Sequence, residues 1–153
     1  MNAATIEYLN ETLGEIVAAK FIAGHSAEGV EDFVSSLRDA EKRTATANSL
    51  LAIGGLRGRL AALLFSRGAA SAELATEVAA RVPADTAKVC VILHTTGDMW
   101  NAHYVDANES WFAERRYYSE RTGHHVCKPA PDKMIEIRLL NRFGKVQDYV
   151  FAS

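Results

Sequence analysis

Two histidines and a cysteine stand within four positions of one another, at His124, His125 and Cys127, and imidazole and thiolate are the ligand types zinc prefers. His94, His103 and Cys90 add donors of the same kind elsewhere. Structural zinc sites pair two ligand motifs at regular spacing. This chain has one irregular cluster, so no metal is expected and the trio reads as polar loop histidines beside a half-buried thiol. A thiol nucleophile needs a histidine that lowers its pKa. His125 stands near Cys127, but no nucleophile motif or orienting group accompanies the pair, and Cys90 lies in an apolar run where it reads as packing. The carboxylates form no recognisable acid–base pair, so no catalytic residue and no cofactor is assigned. Gly54-Gly-Leu-Arg-Gly-Arg59 has the glycines of a phosphate loop but lacks the Gly-Lys-Ser/Thr ending and a preceding strand. It reads as a turn between helices.

The segment Trp111-Phe-Ala-Glu-Arg-Arg-Tyr-Tyr-Ser-Glu-Arg121, followed by His124, His125 and Lys128, interleaves cations with rings. Guanidinium groups meet phosphates and rings stack on bases, which suits nucleic acid. Trp, Tyr and Arg are equally the usual anchors of protein interfaces, and Glu114 and Glu120 weaken the nucleic-acid reading. The candidate partner-binding set is therefore Trp111, Arg115, Arg116, Tyr117, Arg121, His124, His125 and Lys128. The bland alternative is that Trp111, Phe112 and Tyr118 face a sheet while Arg115, Arg116 and Arg121 form a solvated face.

Something must position these residues, and 153 residues suffice for one ordinary domain (1–153) that buries roughly 70% of its extended-chain surface. With 48% apolar and 24% charged residues the composition is globular and excludes extended disorder. Seventeen Lys plus Arg against nineteen Asp plus Glu leave a net charge of -2, so no global field draws the chain to nucleic acid or to an anionic membrane. Its most apolar stretch, residues 60–65, is far below the roughly 18–20 residues of a membrane span. Two cysteines without a secretory leader point to reduced thiols in a cytoplasm.

Residues 1–87 read as helices. Ile6, Leu9, Leu13, Ile16, Val17 and Phe21 recur at helical spacing, predicting one helix over 4–23 that stops at Gly24. Ser26 caps a second, long helix with Val30, Phe33, Val34 and Leu37 on its buried stripe, ending near Gly54-Gly55. A third over 56–66 buries Leu60, Leu63 and Leu64. A fourth, capped by Ser71, carries Leu74, Val78 and Val82 and ends at Pro83. Alanine is frequent throughout and aromatics are few. The thin bundle is expected to lay its exposed stripe on the rest of the chain or on a second copy, giving a homodimer.

Residues 88–153 read as β-β-α-β-β. The run over 88–95 is β-branched and almost continuously apolar, as a strand buried on both faces and central in its sheet would be. Thr96-Gly97-Asp98 turns it into a second strand over 99–105. Asp106 with Glu109 has the spacing of an acidic capping box, predicting a short helix through Trp111, Phe112, Arg115 and Tyr118 up to Gly123. Pro129 and Pro131 break the chain before a half-buried strand over 134–141, in which Ile135, Ile137 and Leu139 alternate with Glu136 and Arg138. Residues 142–145 make the last turn and 146–151 the last strand. The fold class is α+β, an N-terminal helical bundle packed with a C-terminal antiparallel sheet.

With no motif of high specificity, the compact, slightly acidic chain with its clustered aromatics and arginines resembles, in overall profile, the small inhibitors encoded by phages and mobile elements, of which anti-CRISPR proteins are one group. The resemblance implies stoichiometric binding to a larger host complex, such as a CRISPR effector, without turnover. The leading reading is thus a non-enzymatic protein-binding module. A nucleic-acid-associated protein using residues 111–128 is the runner-up, and a small enzyme or ligand sensor with a pocket between helices and sheet is third.

Overall fold

In the computed structural model, residues 1–94, 100–116 and 134–152 are described, with the backbone alone at 94, 100 and 111–116. The chain is α+β, and among the described residues five helices are followed by five strands. Its internal contacts divide it into two compact units, Met1–Ala45 and Thr46–Ser153. Helix gives way to strand after residue 87, as expected, whereas the division between units falls inside the third helix.

The first unit opens with α1 (Ala3–Leu13) and α2 (Glu15–Gly24) and takes in most of α3 (Ala27–Leu51). The single helix expected over 4–23 is two helices. Gly14 adopts φ 81°, a left-handed conformation open to glycine at little cost, and its N–H closes the last turn of α1 on the Asn10 carbonyl. The break shifts the helical phase, so that Leu9 and Ala18 turn inward with Val30 and Val34 while Ile16 and Val17 stand exposed. Asn2 caps α1 by accepting from the Thr5 N–H at 2.8 Å, and the Thr5 hydroxyl donates to Glu31 at 2.8 Å. Ser26 caps α3 through the Gly29 N–H. The Tyr8 hydroxyl donates to Glu41 at 2.6 Å, and that carboxylate holds the phenol above its ordinary range.

The second unit contains α4 (Gly55–Ser66), α5 (Ala72–Ala80) and a five-stranded antiparallel sheet. Its strands are β1 (Lys88–His94), β2 (Trp100–Asp106), β3 (Ser110–Arg116), β4 (Ile135–Leu140) and β5 (Val146–Ala152), in the order β3-β2-β1-β4-β5. The apolar run of β1 is indeed the centre. Its odd positions, Val89, Val91 and Leu93, join Ile135, Ile137 and Leu139 of β4 and the helical residues Leu60, Leu64, Val78 and Val82 in the main core. Its even positions, Cys90 and Ile92, build a smaller cluster on the opposite face with Ala102 and Leu140. Small residues bring α4 close. A Cβ added at Gly58 would stand 3.0 Å from the Leu50 carbonyl oxygen and 3.1 Å from that of Leu51.

Two strands differ from expectation. Residues 110–116 form β3 rather than the start of a helix. Asp106 Oδ1 does accept from the N–H groups of Asn108 and Glu109, at 2.7 and 2.8 Å. The Asp106 N–H also donates to the Glu109 carbonyl at 2.9 Å, which closes a hairpin between β2 and β3. An Asx turn and a helix cap share their first bonds. Here β2 supplies a ladder that β-prone Trp111 and Phe112 continue. Those two N–H groups hold the Asp106 carboxyl below its ordinary range. The rest of the expected helix and the turn at 96–98 lie outside the described residues. In β4, Glu136 is 4% exposed instead of solvated, because β4 lies between β1 and β5 and Arg138 Nε pairs with Glu136 Oε1 at 2.8 Å.

Candidate protein-binding surface

Of the eight residues picked out as partner contacts, Trp111, Arg115 and Arg116 lie on β3, at one edge of the sheet, where their backbones pair with Tyr104, Asn101 and Trp100. Strand geometry replaces the helical spacing on which their common face was expected. Tyr117, Arg121, His124, His125 and Lys128 lie outside the described residues, as does Cys127. Cys90 and His103 stand on opposite faces of the sheet, since His103 is the register partner of Val91. Among the described residues no three His, Cys, Asp or Glu side chains come together as a metal site would require.

The glycine-arginine segment at 54–59 is structural. Gly54 and Gly55, both at positive φ, turn the chain from α3 into α4. Arg57 donates through Nε and Nη2 to the Val82 carbonyl at 2.8 and 2.6 Å, and Arg59 Nε reaches the Ala107 carbonyl at 3.3 Å. Both guanidinium groups thus fasten the helical layer of this unit to its loops. Open clefts of about 630 and 450 Å³ lie where the segment after α5, the β2–β3 turn and the β4–β5 turn meet. The helix–sheet interface is packed mainly with apolar side chains, with His103 buried on its β2 side and a smaller cleft of about 310 Å³ at one end, lined by Arg67, Leu93, Asn101 and Ile135.

The feature that sequence reasoning passed over is the other edge strand. Val146, Tyr149 and Phe151 of β5 pair with Leu140, Arg138 and Glu136, which puts all three on the face away from α4 and α5. They are exposed there, Tyr149 to 47%, and the Tyr149 and Phe151 rings stack nearly parallel with centroids 5.7 Å apart. Phe143, 72% exposed, stands at the β4–β5 turn with the Arg142 guanidinium 4.7 Å from its ring centroid, and both line the larger cleft together with Asp85 and Asp148. Exposed Met134, whose N–H donates to the Ala152 carbonyl, lines a cleft with Arg67, Leu93 and Ile135.

The turn is firmly built. Asn141 Oδ1 accepts from the N–H groups of Phe143 and Lys145, its carbonyl from Gly144, and its own N–H donates to the Lys145 carbonyl, all between 2.9 and 3.0 Å. Gly144 takes the positive φ of 76° that this closure needs. The backbone at Phe143 and Lys145 is therefore fixed by the turn's own hydrogen bonds.

No protein-family model, curated protein or solved structure matches this chain. The signal for the strip was present: in Val146-Gln-Asp-Tyr-Val-Phe151 the two rings occupy the phase opposite to Val150, and a last strand with an exposed pattern belongs at an edge. Among the described residues no helix is long and apolar enough to cross a membrane.

Proposed function

We propose that this chain is a non-enzymatic protein-binding module that acts by occupying a partner's surface. The observation that supports the reading is the exposed apolar face of β5, Val146, Tyr149 and Phe151, beside a turn that displays Phe143 and Arg142. Aromatic rings and arginine are the side chains on which binding energy concentrates, and a contiguous apolar patch on a domain surface commonly marks an interaction site. The profile resemblance to small inhibitors of host complexes names the kind of partner, a larger assembly bound without turnover. Trp111, Arg115 and Arg116 remain a second candidate contact on the opposite edge.

The test is affinity purification of the tagged chain with nuclease treatment, repeated with two double variants. Tyr149→Ser with Phe151→Ser is expected to lose the partner. Arg115→Glu with Arg116→Glu reports separately on the β3 edge. Loss only in the second variant would move the site to β3, and retention in both would refute the reading. Binding that vanishes with nuclease would favour the nucleic-acid alternative.

A further inference from the structure

The third helix belongs to both compact units, and its two ends are held by different cores. Val30 and Val34 are buried with Leu9 and Ala18, and Leu50 is buried with Leu56 and Leu60. Between Leu37 and Leu50 the sequence runs Arg38-Asp-Ala-Glu-Lys-Arg-Thr-Ala-Thr-Ala-Asn-Ser49, without one apolar side chain larger than alanine. Residues 38–45, about two turns of helix, are exposed at every position. Before Leu50, burial resumes with the small Thr46 and Ala47 half covered.

A helix in a folded protein takes most of its stability from the packing of one face, and an isolated one shorter than about 12–15 residues is marginal in water. A helix that is polar all round persists where it bridges folded elements or is laced by side-chain pairs. Here α1 braces the first turn of the stretch, since the Tyr8 hydroxyl donates to Glu41 at 2.6 Å and the Arg38 guanidinium lies 4.9 Å from the Tyr8 ring centroid. Opposite charges three and four apart, Arg38 with Glu41 and Asp39 with Lys42 and Arg43, add a little on an exposed surface. The charges end at Arg43. Among the six residues that follow, Thr44, Thr46, Asn48 and Ser49 are weaker helix formers than alanine.

We infer that residues 38–49 are a locally melting segment built into α3, which opens and re-forms as helix while both cores stay folded. Openings of this kind supply the stretches that partners capture and that proteases cut, and the exposed Lys42 and Arg43 lie within this one.

Native-state hydrogen exchange on the full chain, read peptide by peptide in a mass spectrometer, measures the opening. The N–H groups of residues 42–49 bond to the carbonyls of 38–45. They are expected to exchange at least about a hundredfold faster than those of α4 and of residues 31–37 in the same helix. Thr44→Gly with Ala45→Gly, both at exposed positions, is expected to quicken exchange at 42–49 by about a further tenfold and to leave α4 and β1 unchanged. Thr44→Ala with Asn48→Ala should slow the same amides and no others. Exchange at 42–49 as slow as in α4 would overturn the inference, because α3 would then open only with the whole fold. Exchange at 7–13 and 31–37 as fast as at 42–49 would overturn it too, since the opening unit would be the entire helical region up to residue 49. So would a glycine pair that speeds exchange equally in α3, α4 and β1, which would make the stretch part of global stability.

Discussion

His103 is 1% exposed on the helix-facing side of β2, where burial, and secondarily the charge of Arg67, push its pKa from 6.5 down to about 4. In the unfolded chain the ring regains its ordinary value, so between those two pH values unfolding takes up a proton. Stability from the neutral ring is fully present above pH 6.5 and falls as pH drops toward 4, below which the native ring is protonated too. One pKa unit corresponds to about 1.4 kcal/mol, so by pH 4.5 the loss amounts to about 2 to 3 kcal/mol. Urea unfolding at pH 7.5, 6.5, 5.5 and 4.5 measures it, with His103→Gln as the control whose ring cannot titrate. The carboxylates titrate in both proteins, so the wild type should lose about 2 to 3 kcal/mol more than the variant over this range. Parallel curves within about 0.5 kcal/mol would refute the reasoning, because a buried neutral imidazole cannot leave the pH slope unchanged. Arg67→Met should return only part of the loss, since desolvation is the larger cause.

Arg138→Ala strips the buried Glu136 of its ion-pair partner at 2.8 Å and should cost about 3 to 5 kcal/mol in chemical denaturation. Gly58→Ala drives a methyl to 3.0 Å from a backbone carbonyl and should destabilise by about 1 to 3 kcal/mol, measured in the same assay; an unchanged or raised midpoint would show that α4 can shift away from α3. The exposed Ile16 and Val17 of α2 lead us to expect a homodimer through the helices, with light scattering giving twice 16.7 kDa for the wild type and 16.7 kDa for Ile16→Glu with Val17→Glu. A wild-type mass of 16.7 kDa at micromolar concentration would end that expectation.

Much of the fold was legible because periodicity reports burial directly. The unbroken apolar run of β1 announced a strand covered on both faces, and Ser26, Ser71 and Pro83 bounded their helices as local chemistry dictates. The errors came where a local signal has two outcomes. Gly14 sits within a continuous helical stripe, and only the packing of Leu9 against Ala18 decides that the stripe is broken there. Asp106 and Glu109 carry bonds common to a cap and a turn, so the choice between helix and β3 rested on β2, a partner the local pattern does not reveal. Glu136 falls on the polar phase of β4, and alternation cannot see the strands that flank it on both sides or an arginine two residues away. The β5 strip was missed for a related reason. The sequence yields a last strand over 146–151, but its place at the sheet's edge and the face its rings share follow only from strand order and register.

The partly occupied edge of β5 bears on how the chain meets its own copies. A terminal strand bearing two stacked rings and two valines is the kind of segment that templates fibrils when its backbone is open. Asp148 and Arg81 occupy two of the outward groups, the Tyr149 N–H and the Phe151 carbonyl, so a second copy that paired with this edge would compete with one carboxylate and one guanidinium there.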